Sequence, residues 1–146
     1  MWPPLLFSGI QITELSDDFR RCRARLRDWP GTRNIHGTQF GGSLFAMTDP
    51  IYSIMLHGLL GKRYFIWDKA AHIEFVRPGR GAVYLDCSLD DDILQEIRRH
   101  TEGGEKYFPE FTIRVYDDSG ETIAIAKRVL YVRLKPSFRP RATDER

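Results

Sequence analysis

At 146 residues, 42% of them hydrophobic and 29% charged, the chain holds one domain with a real core. That composition excludes a disordered protein, a fibre and a multidomain machine. A formal charge of +2 is too mild to mark a nucleic-acid binder.

Residues 10–15, Ile-Gln-Ile-Thr-Glu-Leu, alternate weakly and predict a short strand. Over 19–27, Cys22, Ala24 and Leu26 face one way and Arg21, Arg23, Arg25 and Arg27 the other. The plain reading of that ladder is a solvated strand face. The sharper one is a docking surface for the phosphates of a nucleotide or nucleic acid. No aromatic residues interleave, so a base-stacking platform has no support.

Residues 30–42 hold Gly31, Gly37, Gly41 and Gly42 and read as a loop. A helix is predicted from Ser43 to Gly58. Its apolar positions run nearly all round, which calls for the rest of the protein to wrap it. This segment is short of a membrane span and is broken by Asp49, Pro50 and His57. The opening Met1-Trp2-Pro3-Pro4 has neither the basic start nor the apolar run of a secretory signal.

Strands follow at 63–76 and 82–89. Asp90 starts a second helix, to about Glu102, with acidic residues first, Arg98, Arg99 and His100 late, and Gly103-Gly104 as the stop. A hairpin comes last: Phe111, Ile113 and Val115 alternate, Asp117-Asp118-Ser119-Gly120 turns, and 122–134 returns. Residues 135–146 read as a loose tail. Short connections make the late strands antiparallel. The expected fold is α+β, an antiparallel sheet wrapped around a central buried helix in a single domain over 1–134. Cys22 and Cys87 sit in apolar alternations and read as reduced core thiols of a cytoplasmic protein. The four histidines show no metal-ligand spacing, so no metal is expected.

The stretch richest in chemistry is 34–50. Gly41 and Gly42 lie where loop becomes helix. There the free N–H groups and the positive dipole end suit an anion, or an oxygen becoming one. Asp49 is a carboxylate within the most apolar segment, and Pro50 removes a helix hydrogen bond and frees the Ala46 carbonyl. Such a carboxylate needs a partner, whether hydroxyl or arginine, or it has a chemical task. Gly41 and Asp49 are eight positions apart, roughly 12 Å along a helix. Both can serve one reacting carbonyl only if they come from two subunits with antiparallel central helices.

The layout resembles the hot-dog fold, a helix wrapped by an antiparallel sheet. Gly41-Gly42-Ser43-Leu44-Phe45-Ala46-Met47-Thr48-Asp49 resembles the Gly-Gly-x-Leu-Phe-Ala-x-x-Asp pattern of acyl-CoA thioesterases of the phenylacetate-pathway type. Ile73-Glu74-Phe75-Val76-Arg77-Pro78-Gly79 is similar to their strand ending in Arg-Pro-Gly. The run from Gly37 to Gly42, the Asp49-Pro50 pair and Trp67-Asp68-Lys69-Ala70 resemble an uncharacterised bacterial branch of that superfamily.

The resemblance implies a thioester hydrolase. Asp49 would be general base or nucleophile, the Gly41 amide, with Gly42, would polarise the carbonyl, and Asn34 would position water or carbonyl. Phe40, Phe45 and Phe75 would line the acyl slot. Arg77, with Arg80, Arg133 and Lys135, would meet the CoA phosphates. No cofactor is implied, since the CoA thioester is the substrate. The implied partners are a small-molecule acyl-CoA and a second copy of the chain, in a homodimer with composite sites or a tetramer, with no nucleic acid and no membrane. The chain departs from the pattern twice. Phe40 replaces a histidine before the first glycine, with His36 either its substitute or a surface turn residue. Asp68 stands near a hydroxyl of relatives, where its charge would act on Asp49. The alternative is a non-catalytic acyl-CoA binding or sensing protein on the same fold. A dehydratase ranks below both, because Asp49 has no histidine nearby in sequence.

Overall fold

The computed structural model describes residues 3–142. Along the chain lie α1 (Pro3–Phe7), β1 (Ile10–Leu15), β2 (Arg21–Leu26), α2 (Gly41–Thr48), α3 (Ile51–Leu60), β3 (Tyr64–Phe75), β4 (Val83–Ser88), α4 (Asp91–Thr101), β5 (Glu110–Asp117) and β6 (Thr122–Leu134). The strands form one antiparallel sheet in the order β1-β2-β4-β5-β6-β3. The sheet packs on α2 and α3, which is the hot-dog layout.

Period-2 alternation builds the inner face. Cys22, Ala24 and Leu26 of β2, Ile113 and Val115 of β5, and Ala124, Ala126, Leu130 and Val132 of β6 are buried. Met47, Ile51, Met55 and Leu56 fill the space above them, and Tyr52 stacks on Phe111 with centroids 4.1 Å apart. Cys22 faces Cys87 across β2 and β4, both as free thiols. Burial pushes Cys22 up to about 11 and Cys87 up to about 12, which suits packing rather than reactivity. On the outer face Arg21 and Arg23 share Asp86, and Arg23 also pairs with Glu14. Half of the arginine ladder thus pairs with carboxylates of neighbouring strands, and Arg25 donates to Gln11. The segment read as a tail begins with one 3-10 turn at Pro136–Phe138, whose Phe138 ring lies under Arg63. The residues from 143 onward lie outside the described ones.

The central helix differs from expectation in three ways. It starts at Gly41 rather than Ser43, reaches Leu60, and is interrupted at Asp49-Pro50. Both interrupting residues keep right-handed helical angles, so the path continues through a bend. Nor is the helix wrapped all round. Gly42, Ala46, Asp49 and His57 form an exposed stripe at helical spacing. The sheet covers one side, and among the described residues the stripe stays open apart from the Phe40 ring beside Gly42.

Phe19 closes the β1–β2 turn at a φ of 59°, and its ring lies on Gly58 of α3. A Cβ there would sit 2.1 Å from the ring. Gly58→Ala gains at most about 1 kcal/mol of helix propensity and loses about 1–3 kcal/mol to overpacking. Denaturant melts should show net destabilisation. In a Phe19→Gly background the same change should stabilise.

Candidate active site

The bend at Pro50 creates the site. Proline has no N–H, so the Ala46 carbonyl loses its usual donor and takes the Asp49 N–H instead, at 3.1 Å. That leaves the Phe45 carbonyl free of Asp49. It accepts from Thr48 Oγ1 at 2.7 Å and from Arg128 Nη2 at 3.3 Å.

Arg128 comes from the inner face of β6 and is 5% exposed. Its Nε donates to Thr48 Oγ1 at 3.0 Å, and its guanidinium lies over the Phe45 ring at 4.9 Å. Its Nη1 donates to Asp49 Oδ1 at 3.0 Å and to Asp68 Oδ1 at 3.2 Å. One buried cation thus ties the bend of the central helix to β3. Sequence reasoning missed Arg128. The signal was the pair Lys127-Arg128 inside an alternating strand, where neighbours face opposite sides and one cation must point inward.

Asp49 is not buried as the apolar sequence around it suggests. Its side chain is 62% exposed, because it lies on the uncovered stripe. It opens into a groove of about 750 Å3 whose walls include Gly42, Phe45, Ala46, Asp68 and Arg128. Asp68 reaches that groove through a β-bulge in β3. The register against β6 shifts between Asp68 and Ala70, and Lys69 is the extra residue. Lys69 turns its ammonium onto the Phe108 ring, 3.7 Å away. Asp68 and Asp49 share Arg128 Nη1. Burial pushes the Asp68 carboxyl up, Arg128 opposes this, and the Asp49 charge adds to the rise.

The helix start faces a second groove, of about 480 Å3. Asn34, His36, Gly41, Phe75, Arg77 and Arg80 are among its walls. Neither the Gly41 nor the Gly42 N–H has a protein acceptor among the described residues. The glycines admit aromatic rings. A Cβ on Gly41 would lie 3.1 Å from Phe75, and one on Gly42 would lie 2.4 Å from Phe40. Phe40 itself is 56% exposed. The Asn34 side chain closes the 34–38 turn, with Oδ1 accepting from the His36 and Thr38 amides.

The structure therefore gathers Asn34, His36, Gly41, Phe75 and Arg77 in one groove and Gly42, Phe45, Asp49 and Asp68 in the other. Arg77 is paired with Glu121. Arg133 donates to the Gly104 carbonyl and Lys135 lies over Phe65, and neither lines a groove wall around Asp49 or Gly41. Among the described residues no group of three His, Cys, Asp or Glu could hold a metal ion. No helix among them is long and apolar enough to cross a membrane.

Residues 1–132 match the model of a family described as a domain of unknown function, DUF4442. The chain belongs to that family. No curated protein matches it. Solved structures do. A Pseudomonas aeruginosa protein of unknown function, described as a probable thioesterase, is 20% identical with a TM-score of 0.78, over 92% of this chain and 89% of its own. A Chlorobaculum tepidum protein of unknown function is 14% identical with a TM-score of 0.77, over 91% and 87%. A Haemophilus influenzae thioesterase is 15% identical with a TM-score of 0.68, over 90% and 82%. At these identities the likeness establishes the shared hot-dog fold.

The raised Asp68 carboxyl has a signed consequence. A carboxyl raised by folding takes up a proton as the chain folds. Its contribution to stability is fully present below the ordinary value of 3.8 and is lost as pH rises through the raised one. Asp68→Asn removes that loss. Stability plotted against pH, from denaturant midpoints, should fall less steeply above 3.8 in the variant.

Proposed function

We propose that the protein is an acyl-CoA thioesterase whose working unit is a homodimer. One observation carries this reading: an exposed carboxylate, Asp49, lies in a groove beside a helix whose opposite end presents two free amides, Gly41 on a second groove and Gly42 on the first. Base and oxyanion donor are both present, about eight residues of helix apart, which is roughly 12 Å. A second chain with its helix antiparallel brings the partner's free amides to this Asp49.

Two features support the second copy. The outer edge of β3 carries no strand, and from Trp67 to Phe75 nearly every residue is exposed. A long open edge is a template for pairing. The helix stripe beside it is small at Gly42 and Ala46, which lets another backbone come close.

In the proposed reaction the thioester carbonyl oxygen lies on the Gly41 amide. Asp49 takes a proton from water, the water oxygen adds to the carbonyl carbon, and the tetrahedral oxyanion is held by the helix N-terminus. Collapse breaks the carbon–sulphur bond, and the thiolate leaves with the proton from Asp49. Direct attack by Asp49, giving an anhydride that water then opens, uses the same groups. Phe45 and Phe75 supply apolar walls for the acyl group. The other reading, an acyl-CoA binder without turnover, draws support from Phe40, whose ring covers Gly42.

The test is thiol release from short, medium, long and aromatic acyl-CoAs. Asp49→Asn should abolish release and leave folding intact. Binding without release by the unaltered protein favours the binder, and release that survives Asp49→Asn removes Asp49 from the mechanism.

Gly41→Pro removes the amide and sets a Cβ 3.1 Å from the Phe75 ring. Gly41 is the first helical residue, where proline fits, and Phe40 already has the extended ψ of 133° that a following proline needs. The variant should fold and lose about 10²–10³-fold in kcat. Mixed and reassorted with Asp49→Asn, two inactive proteins should regain about a quarter of the activity, because each mixed dimer rebuilds one intact composite site. No recovery would mean that each site lies within one chain.

A further inference from the structure

We propose that Arg128 is a positioning residue of this site, holding Asp49 and Asp68 on one nitrogen so that Asp49 presents a single free oxygen to the groove. The proposal rests on the reading of Asp49 as the reacting carboxylate.

The geometry leaves Arg128 little else to do. Of its five N–H groups, four are committed: one to Thr48, two to the carboxylates and one to the Phe45 carbonyl. It is buried under the helix, so it is not a docking point for CoA phosphates or for an acidic acyl chain. Asp49 Oδ1 is taken, and Oδ2 has no protein partner among the described residues. A carboxylate held at one oxygen has lost most of its rotation about the Cβ–Cγ bond, and the free oxygen is the one that meets water or substrate.

The charges fit that role. Asp49 approaches from the helix, Arg128 from β6 and Asp68 from β3. Lys69, next along β3, also lines the groove, with its ammonium on the Phe108 ring. The segment from α1 into β1 contributes Pro4, Leu5, Ser8 and Ile10, none of them titratable. Among the described residues Arg128 is the cation bonded to both carboxylates. Of the two carboxyls Asp68 is the more enclosed, its side chain 31% exposed. Burial, and then the charge of Asp49, hold it above its ordinary value against the pull of Arg128.

A merely structural arginine would pass one test and fail another. The first readout needs no turnover: the pH titration of the Asp68 side-chain carbon by carbon-13 NMR. Arg128→Met should move the Asp68 midpoint upward, and Asp49→Asn should move it downward. The second readout is kinetic. Arg128→Lys keeps a positive charge and loses the planar fork that reaches helix and strand together. It should keep its melting temperature within a few degrees and KM within about twofold, and lose about 10²-fold in kcat. If Arg128→Met does not fold, the Asp49→Asn titration and the lysine variant still decide.

An Asp68 midpoint that neither substitution moves overturns the proposal, and so does a lysine variant with unaltered kcat. Absence of thiol release from the unaltered protein is a different failure. It removes the thioesterase reading, and the titration still shows whether Arg128 couples the two carboxylates.

Discussion

A guanidinium beneath a β-sheet and a proline inside a helix are each unfavourable alone. The first must find acceptors out of reach of water, and the second strands carbonyls that helix geometry would have satisfied. Here the two meet. Pro50 bends the central helix and turns the Asp49 N–H to Ala46, and the Phe45 carbonyl so released becomes an acceptor for Arg128. Thr48 links the same carbonyl to Nε of the same arginine. Without the bend, Asp49 would donate to Phe45 and the arginine would lose that acceptor. Without the arginine, two carboxylates would face each other across the groove with nothing between them.

The rest of the site inherits its shape from that junction. The bend sets Asp49 on the uncovered stripe of the helix, and the bulge at Lys69 turns Asp68 toward the same point. Gly41 and Gly42 stand a helix length away, and one opens to each groove. A rigid helix does not shorten. A reaction that needs both ends therefore needs two helices, and the open edge of β3 lies where a second sheet could join.

Strand order apart, most of the fold was legible from alternation. The burial of Cys22, Ala24 and Leu26, the Asp90 cap accepting from Ile93, and the hairpin turn at 117–120 follow from periods and caps that act over a few residues. The central helix was misjudged where local rules run out. Hydrophobicity alone does not say which side the sheet covers, so Asp49 read as buried when it is exposed. The Lys69 bulge has no local signature, because only the pairing with β6 reveals the extra residue. Arg128 was visible in principle from strand parity. A charged residue at an inward position reads as an error in the pattern until its partners, 79 residues away for Asp49 and 60 for Asp68, are known.

The proposed chemistry gains its sense from the distribution of charge. The groove around Asp49 holds two carboxylates on one buried guanidinium, with Lys69 also on its wall. The helix start at Gly41 carries the positive end of a dipole and unsatisfied amides. Within one chain these lie at opposite ends of α2 and create no field across a common point. Set against each other by a two-fold axis, they would flank a thioester from both sides, with proton acceptor on one and oxyanion donor on the other. Negative charge that leaves water for the carbonyl oxygen would move away from the carboxylates and toward the amides. The arrangement would favour the transition state over the neutral substrate, as catalysis requires. Phe40 lies close to this path against Gly42. Its ring offers no proton, so in such a dimer proton transfer falls to the carboxylate pair and to His36 on the wall of the Gly41 groove.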